Sequence, residues 1–173
     1  MLIFTGCTSH PPAARPVPVA QPDFFSDPQS GVRIAVPSGW KRNPSDDYTL
    51  QIVPEQGSVD SGIVFISLHI PKLPAHIPGL IPMLSVRSGY LGDLREQFQG
   101  LSTQDLAAPS LPNTNARMLR SEWPASGGAM SETALLLVHD DHVFILRGRS
   151  DAQHESQVRA GFDQFVGSLE WEK

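Results

Sequence analysis

Residues 130–171 read MSETALLLVHDDHVFILRGRSDAQHESQVRAGFDQFVGSLEW and contain a predicted strand, tight turn, strand and helix. The first strand, residues 130–139, begins polar and ends in an apolar run, which is typical of a strand covered on both faces. Asp140 and Asp141 separate it from the apolar residues 143–146, and this spacing predicts a short hairpin. These residues therefore predict a hairpin inside a covered sheet.

The helix that follows is predicted from a capping signal and an apolar stripe. Ser150 and Gln153 have the capping-box spacing, in which the two side chains satisfy free backbone amides at a helix start. Glu155, Arg159 and Asp163 are spaced to form two ion pairs on the exposed side. The apolar residues recur at helical spacing on the other side: Val158, Phe162, Phe165, Val166 and Leu169.

Composition and charge limit the possible classes of protein. The chain has 173 residues, of which 40% are hydrophobic and 18% charged, as expected of one globular domain with an extension. Its net charge of -5 argues against a nucleic-acid partner, which requires a basic surface. A single cysteine excludes an internal disulfide and a cysteine-based zinc site.

The N-terminal residues predict a lipid anchor. Phe4-Thr5-Gly6-Cys7 resembles a bacterial lipobox, in which the cysteine is lipidated and becomes the new N-terminus. Residues 1–7 would then be the end of a signal peptide, but the apolar part is short and no basic residue precedes it. We therefore expect the reading frame to continue upstream of Met1. The alternative is that Cys7 is incidental.

A proline-rich linker separates this cysteine from the predicted domain. Residues 8–22 contain five prolines, which favour extended polyproline II and exclude a helix or central strand. The folded domain is predicted over residues 23–173. A lone cysteine, a proline-rich spacer and a folded domain together are typical of a tethered envelope lipoprotein.

The rest of the domain alternates strands with one further helix. Strands are predicted at residues 24–26, 32–36, 48–53, 63–70, 102–107 and 115–123. A helix is predicted from Pro82 to Gln99, with Gly89 and Gly92 weakening it unless they allow close packing on the sheet. Its predicted apolar stripe is Leu80, Leu84, Leu91, Leu94 and Phe98. Short connections between strands predict an α+β fold with a mostly antiparallel sheet flanked by helices.

Two motifs at the ends of the domain resemble those of PsbP-like domains. Near the start, a strand ends in Pro37-Ser38-Gly39-Trp40, and near the end Ser168-Leu169 precedes Trp171. The resemblance covers residues 24–171 and implies a three-layer α/β/α sandwich. Bacterial members of this kind, including the DcrB group, are mostly small envelope lipoproteins without enzymatic activity. Thr8 after the cysteine resembles outer-membrane lipoproteins, so the resemblance implies a periplasm-facing protein, at the outer membrane if the cell has one.

Few residues suggest chemistry at a defined site. His139, Asp140, Asp141 and His142 form the densest cluster of possible metal ligands, with His139 and His142 as weak candidates. A polar hairpin turn explains the same residues, because a metal site needs three or four convergent ligands. No nucleophile elbow, phosphate-binding loop or zinc-protease motif is present. The sequence therefore predicts no enzyme and no cofactor.

Two other groups of residues carry weaker signals. Arg147 and Arg149 share a strand face, where they would bind an anion or, in the preferred interpretation, pair with acidic neighbours. His69 and His76 flank a proline-rich segment and predict the wall of a groove.

The leading hypothesis is a non-catalytic, lipid-anchored envelope protein that binds an unidentified protein or small molecule. The alternatives are a soluble adaptor of the same fold and, less favoured, a metal-dependent hydrolase using the turn at residues 139–142. The enzyme hypothesis requires a pocket in which a third ligand joins the two histidines, whereas the adaptor requires an exposed patch or groove.

Overall fold

The structure of the protein, a computed structural model, describes residues 23–56, 60, 62–72 and 81–172. The described residues form ten strands and two helices. The strands are β1 (Phe24–Asp27), β2 (Val32–Ala35), β3 (Trp40–Asn43), β4 (Leu50–Pro54), β5 (Phe65–His69), β6 (Ser102–Leu106), β7 (Asn115–Ala125), β8 (Gly128–His139), β9 (His142–Asp151) and β10 (Glu170–Trp171). The helices are α1 (Met83–Gln97) and α2 (Glu155–Gly167).

Seven of these strands form one antiparallel sheet in the order β3-β4-β5-β9-β8-β7-β6. The long hairpin strands β8 and β9 lie near its centre, because each has apolar residues on both faces and needs covering on both. Strands β1, β2 and β10 form a second, three-stranded antiparallel sheet. The predicted α+β class with antiparallel strands is confirmed.

The two helices lie on opposite faces of the seven-stranded sheet. Along β8, Leu135 belongs to the same buried cluster as Phe162 of α2, whereas Leu136 belongs to the cluster of Leu91 in α1. Successive residues of a strand point to opposite faces, so the two clusters are separate layers. The predicted three-layer α/β/α arrangement is therefore confirmed. Neither helix of the described residues is long and apolar enough to span a membrane.

The tight turn of the central hairpin has the predicted form. Asp140 and Asp141 both have positive φ, 41° and 63°, as a two-residue hairpin turn requires. Aspartate tolerates this conformation better than most residues because its short side chain bonds the local backbone. The turn places His139 directly opposite His142 in the strand register.

The predicted capping box at Ser150 is wrong. Strand β9 continues through Ser150 to Asp151, because pairing with Ser131 and Met130 of β8 extends the ladder. Ser150 is a buried strand residue, and α2 begins at Glu155. The turn before the helix is held by Asp151 instead, whose Oδ1 accepts a hydrogen bond of 2.9 Å from the backbone amide of His154.

The predicted ion pairs along α2 are also wrong. Glu155 pairs with Arg120 of β7 at 2.7 Å, a partner that only the tertiary structure brings near. No ion pair joins Glu155, Arg159 and Asp163 in the part of the chain that the structure describes. The apolar stripe is confirmed, since Val158, Phe162 and Phe165 are buried.

Helix α1 matches its prediction only in part. Leu91 and Leu94 are buried as predicted, but Leu84 is 71% exposed. A methyl group added at Gly89 or Gly92 would meet no atom within 4 Å, so neither glycine allows a close approach to the sheet. Leu80 lies outside the described residues.

Strand β3 and the short β10 were not predicted. Strand β3 carries three consecutive polar residues, Lys41, Arg42 and Asn43, so it lacks the alternation of apolar and polar residues that indicates a strand. Trp40 is its first residue rather than part of a turn. Strand β10 has two residues, too few for a sequence pattern.

Candidate functional site

The possible metal ligands at the central turn make other contacts. The ring of His139 stacks on that of Trp171, with centroids 3.9 Å apart, and its Nδ1 lies 3.1 Å from Thr114 Oγ1. His142 Nδ1 lies 2.8 Å from the backbone oxygen of Asp140. Among the described residues, no three metal-ligating side chains converge. The geometry of this turn is that of a polar hairpin end packed on the C-terminal strand.

A different set of polar residues lies on the α1 side of the sheet. Gln51, Ser67, Arg147 and Ala134 are paired in register across β4, β5, β9 and β8. Directly opposed residues of antiparallel strands project to the same face, and Ala134 packs in the α1 cluster. The main contacts of helix α1 with the sheet are to β7 and β8. Gln51, Ser67 and Arg147 therefore lie beside α1 rather than beneath it.

Two buried polar atoms in this row have no hydrogen-bond partner within the described residues. They are Ser67 Oγ and Arg147 Nε, and Ser67 itself is fully buried. Buried polar groups in proteins are normally hydrogen-bonded, so such atoms mark an unusual position. The Arg147 guanidinium lies 4.6 Å from the centre of the Tyr48 ring and forms no ion pair with any described residue. A positive charge therefore lies on the sheet against an aromatic face, with no carboxylate of the described residues paired to it.

The neighbouring Arg149, unlike Arg147, forms an ion pair within the protein. Its Nε lies 2.8 Å from Oε2 of the fully buried Glu132, whose other oxygen accepts a hydrogen bond from the Tyr90 hydroxyl. Burial, and then the adjacent Glu132 charge, raise the pKa of Tyr90 well above its usual value. Three aromatic rings surround the Arg149 guanidinium: Phe65, Phe98 and Trp123. This network is satisfied internally, because each charge in it has a partner.

Two adjoining cavities lie over this polar row. One, of about 520 Å³, is bounded by residues 43–48, Gln51, Phe65 and Arg149. The other, of about 380 Å³, lies between Arg147, His69 and helix α1. Tyr48 lines both cavities. We call the two together the Arg147 groove, defined by Tyr48, Gln51, His69, Asp93 and Arg147.

His69 is kept neutral at the end of this groove. Its burial, and then the nearby positive charge of Arg147, lower the pKa of the imidazole below its ordinary value. Contacts with Asp47 oppose this shift without cancelling it. The groove therefore presents an uncharged imidazole beside an unpaired guanidinium at neutral pH.

A third cavity, of about 170 Å³, lies on the other face between α2 and the β7–β8 strands. It is smaller than the roughly 300–1,000 Å³ typical of ligand sites. Arg120, one of the cations that line it, is paired with both Glu122 and Glu155. The Arg147 groove is therefore the better candidate site.

The sequence predicted some residues of this groove and missed others. Arg147 and Arg149 do share a face, and Arg149 has the expected acidic partner, but Arg147 does not. His69 lines the groove as expected, while His76 and Cys7 lie outside the described residues. The missed residues include Gln51, which interrupts the otherwise apolar strand β4. A polar residue at a buried strand position is the signal that would have indicated it.

Similar structures are known although similar sequences were not found. No protein-family model matches the sequence, and no curated protein matches it. The solution structure of cyanobacterial PsbP (CyanoP) from Synechocystis sp. PCC 6803 matches with a TM-score of 0.63 and 13% identity. That match covers 92% of this chain and 97% of the cyanobacterial one.

A second match comes from a different group of bacteria. The crystal structure of LpqN, described as involved in cell envelope biogenesis of Mycobacterium tuberculosis, matches with a TM-score of 0.57 and 15% identity. It covers 88% of this chain and 91% of LpqN. The chain therefore has a PsbP-like fold, as the motifs at its two ends predicted. At these identities the likeness concerns the fold, and the site must be argued from its own residues.

Proposed function

We propose that this protein is a non-catalytic envelope lipoprotein whose PsbP-like domain binds a protein or small-molecule partner in the Arg147 groove. The observation that carries this proposal is the unpaired guanidinium of Arg147, which lines an open concavity and lies opposite the unsatisfied, buried Ser67 in the sheet register. Polar groups that converge in a concave site fix the orientation of a ligand.

The groove supports binding better than catalysis. The serine opposite Arg147 in the register, Ser67, makes no side-chain hydrogen bond to His69 or to any other described residue. A catalytic serine is activated by a base within hydrogen-bond reach. At the central turn, His139 and His142 are occupied by Trp171, Thr114 and backbone contacts, and no third ligand among the described residues joins them. No observation favours the hydrolase alternative.

The envelope location is supported by two separate observations. The chain shares its fold with LpqN, a protein involved in envelope biogenesis. Its sequence combines the lipobox-like Cys7 with a proline-rich segment at residues 8–22. In polyproline II, these 15 residues would hold the domain away from the membrane by up to about 3.1 Å each. Acyl chains supply about 0.8 kcal/mol of membrane affinity per buried methylene.

Metabolic labelling tests the anchor. The protein is expressed with a complete signal peptide supplied upstream of Met1, in cells fed labelled palmitate. We expect the wild-type chain to carry label and to partition into detergent, and Cys7→Ser to lose the label and be released or left unprocessed. Ser9→Ala, close to the cysteine but outside the lipobox, is the matched control and should behave as wild type. Absence of label on the wild-type chain would favour the soluble adaptor.

Comparison of two arginine variants tests the groove. Full-length protein is used as bait in envelope extract, with Arg147→Gln to remove the unpaired cation and Arg117→Gln as the control on the exposed part of β7. A partner that binds in the groove should be retained by wild type and Arg117→Gln and lost from Arg147→Gln. Equal retention by all three proteins would contradict binding in this groove.

A further inference from the structure

The smaller cavity of the Arg147 groove carries charges of both signs. Arg147 lies on the sheet, while Asp47 lies on the connection before β4 and Asp93 on the facing helix α1. Both aspartates are exposed. Neither carboxylate forms an ion pair with a residue in the described ranges. The cavity therefore has a cation on one surface and carboxylates on two others.

The surroundings of Arg147 leave only part of its guanidinium open to a ligand. Its Nε is buried against the protein and Tyr48 covers one face of the guanidinium. The two terminal nitrogens of the planar group then provide the donors that remain for a ligand, and a carboxylate fits them in a bidentate arrangement.

The charge balance favours ligands that carry both signs of charge. A ligand that is only anionic would meet Arg147 favourably but would be repelled by Asp47 and Asp93. A ligand that is only cationic would be attracted to the two carboxylates and repelled by Arg147. His69 adds no positive charge at neutral pH, because its burial and the neighbouring Arg147 keep it neutral. The complementary ligand has an anionic and a cationic group.

We propose that this cavity binds a small zwitterion, an amino acid or short peptide, with its carboxylate on Arg147 and its ammonium between Asp47 and Asp93. A volume of about 380 Å³ lies at the small end of the range for ligand sites, which suits a molecule of one or two residues. This ligand class rests on the proposed function, since it specifies what the partner-binding groove recognises.

Three dipeptide probes separate the two charges. They are Ala-Ala, with both termini free, N-acetyl-Ala-Ala, which lacks the ammonium, and Ala-Ala amide, which lacks the carboxylate. Binding to the full chain is measured by calorimetry at neutral pH. We expect Ala-Ala to bind at least tenfold more tightly than either blocked peptide. Equal or tighter binding of a blocked peptide, or no binding by Ala-Ala, would overturn the zwitterion assignment.

Variants then assign each terminus to its residue. Arg147→Gln should abolish the preference for Ala-Ala over Ala-Ala amide, and Asp93→Asn should reduce the preference over N-acetyl-Ala-Ala. Arg117→Gln should change neither preference. Circular dichroism verifies the folding of each variant. If Arg147→Gln does not fold, the exposed Asp93→Asn still decides the ammonium assignment, and an unchanged preference there would contradict the proposal.

Two outcomes distinguish this proposal from the proposed function. If no dipeptide binds but Arg147→Gln loses the envelope partner, the groove is a partner site and the zwitterion is the wrong ligand. If the dipeptide preferences follow Arg147 and Asp93 while no partner depends on Arg147, the ligand class holds and the proposed protein partner is wrong.

Discussion

The two faces of the seven-stranded sheet are built from different kinds of residue. On the α2 side, Leu50, Leu68 and Leu146 line up across β4, β5 and β9 in one of the two core clusters. On the α1 side, the positions next to them are Gln51, Ser67 and Arg147. Each of these three strands therefore contributes an apolar residue to the closed core on one face. Its neighbouring polar residue lies on the other face, which carries the open groove.

The difference shows how stability and binding are divided in this fold. The α2 side buries a cluster of sixteen hydrophobic residues, whereas the α1 cluster has seven among the described residues. Apolar burial is the main favourable term in folding, so most of the stability should come from the α2 side. The α1 side then tolerates an unpaired arginine because the opposite face of the same strands is fully packed.

The largest effect is expected at the centre of the α2 side. Phe162→Ala should reduce the free energy of unfolding by roughly 3–5 kcal/mol, because a buried aromatic side chain is replaced by a cavity. Phe162 is 2% exposed and packs against Gly148 of β9. Chemical denaturation followed by circular dichroism measures the change. A loss below about 1 kcal/mol would show that this face does not dominate stability.

A glycine on the same helix should show how tightly that face is packed. A methyl group at Gly161 would lie 2.6 Å from the buried indole ring of Trp40. Gly161→Ala should therefore destabilise the protein, since overpacking costs about 1–3 kcal/mol and outweighs the gain of about 1 kcal/mol in helix propensity. The midpoint of urea unfolding measures the result. An increase in stability would mean that the Trp40 ring moves aside at little cost.

The corresponding change on α1 should have the opposite sign. Gly89 is exposed and lies inside the helix. A methyl group added there would meet no atom within 4 Å apart from its chain neighbours and the nearby backbone of its own helix. Gly89→Ala should stabilise the protein by about 1 kcal/mol, the propensity difference between the two residues in a helix. Thermal unfolding of this variant beside Gly161→Ala tests the contrast directly. If both variants were destabilised, α1 would be packed as closely as α2.

The sequence predicts features of the fold that are determined by nearby residues better than features that depend on residues far apart in the chain. The central hairpin and the α2 stripe were predicted because their signals are local in sequence. Asp140 and Asp141 lie between two strands, and the apolar residues around Phe162 recur at helical spacing. The start of α2 was mispredicted because Ser150 satisfies both a local capping rule and the β8–β9 register, and the longer-range pairing prevails. Local patterns therefore predict elements better than their ends.

The groove could not be predicted as a site for the same reason. Gln51, Ser67 and Arg147 come from three strands and meet only through the register of β4, β5 and β9. They lie far apart in the sequence, and no motif links them. The partner of Arg149 was expected, but its identity as Glu132 depends on the opposing positions of β8 and β9.

The smallest expected effect is on the pKa of His69, which responds to the positive charge of Arg147 in the groove. Burial first, and then Arg147, hold its pKa below the ordinary value of 6.5. In the unfolded chain the imidazole titrates near that ordinary value, so the unfolded state binds the proton more readily. The contribution of His69 to stability is therefore fully present above about pH 6.5 and is lost as the pH falls toward the folded-state pKa.

An NMR titration of the His69 ring tests this, with its resonance assigned by its absence from His69→Asn. The wild-type pKa should lie below 6.5, and Arg147→Gln should raise it because one of the two lowering causes is removed. Arg117→Gln, the control cation on β7, should leave it unchanged. Because burial is the larger cause, the pKa in Arg147→Gln should still remain below the ordinary value. A wild-type pKa at or above 6.5, or one insensitive to Arg147, would mean that the guanidinium does not act on this end of the groove.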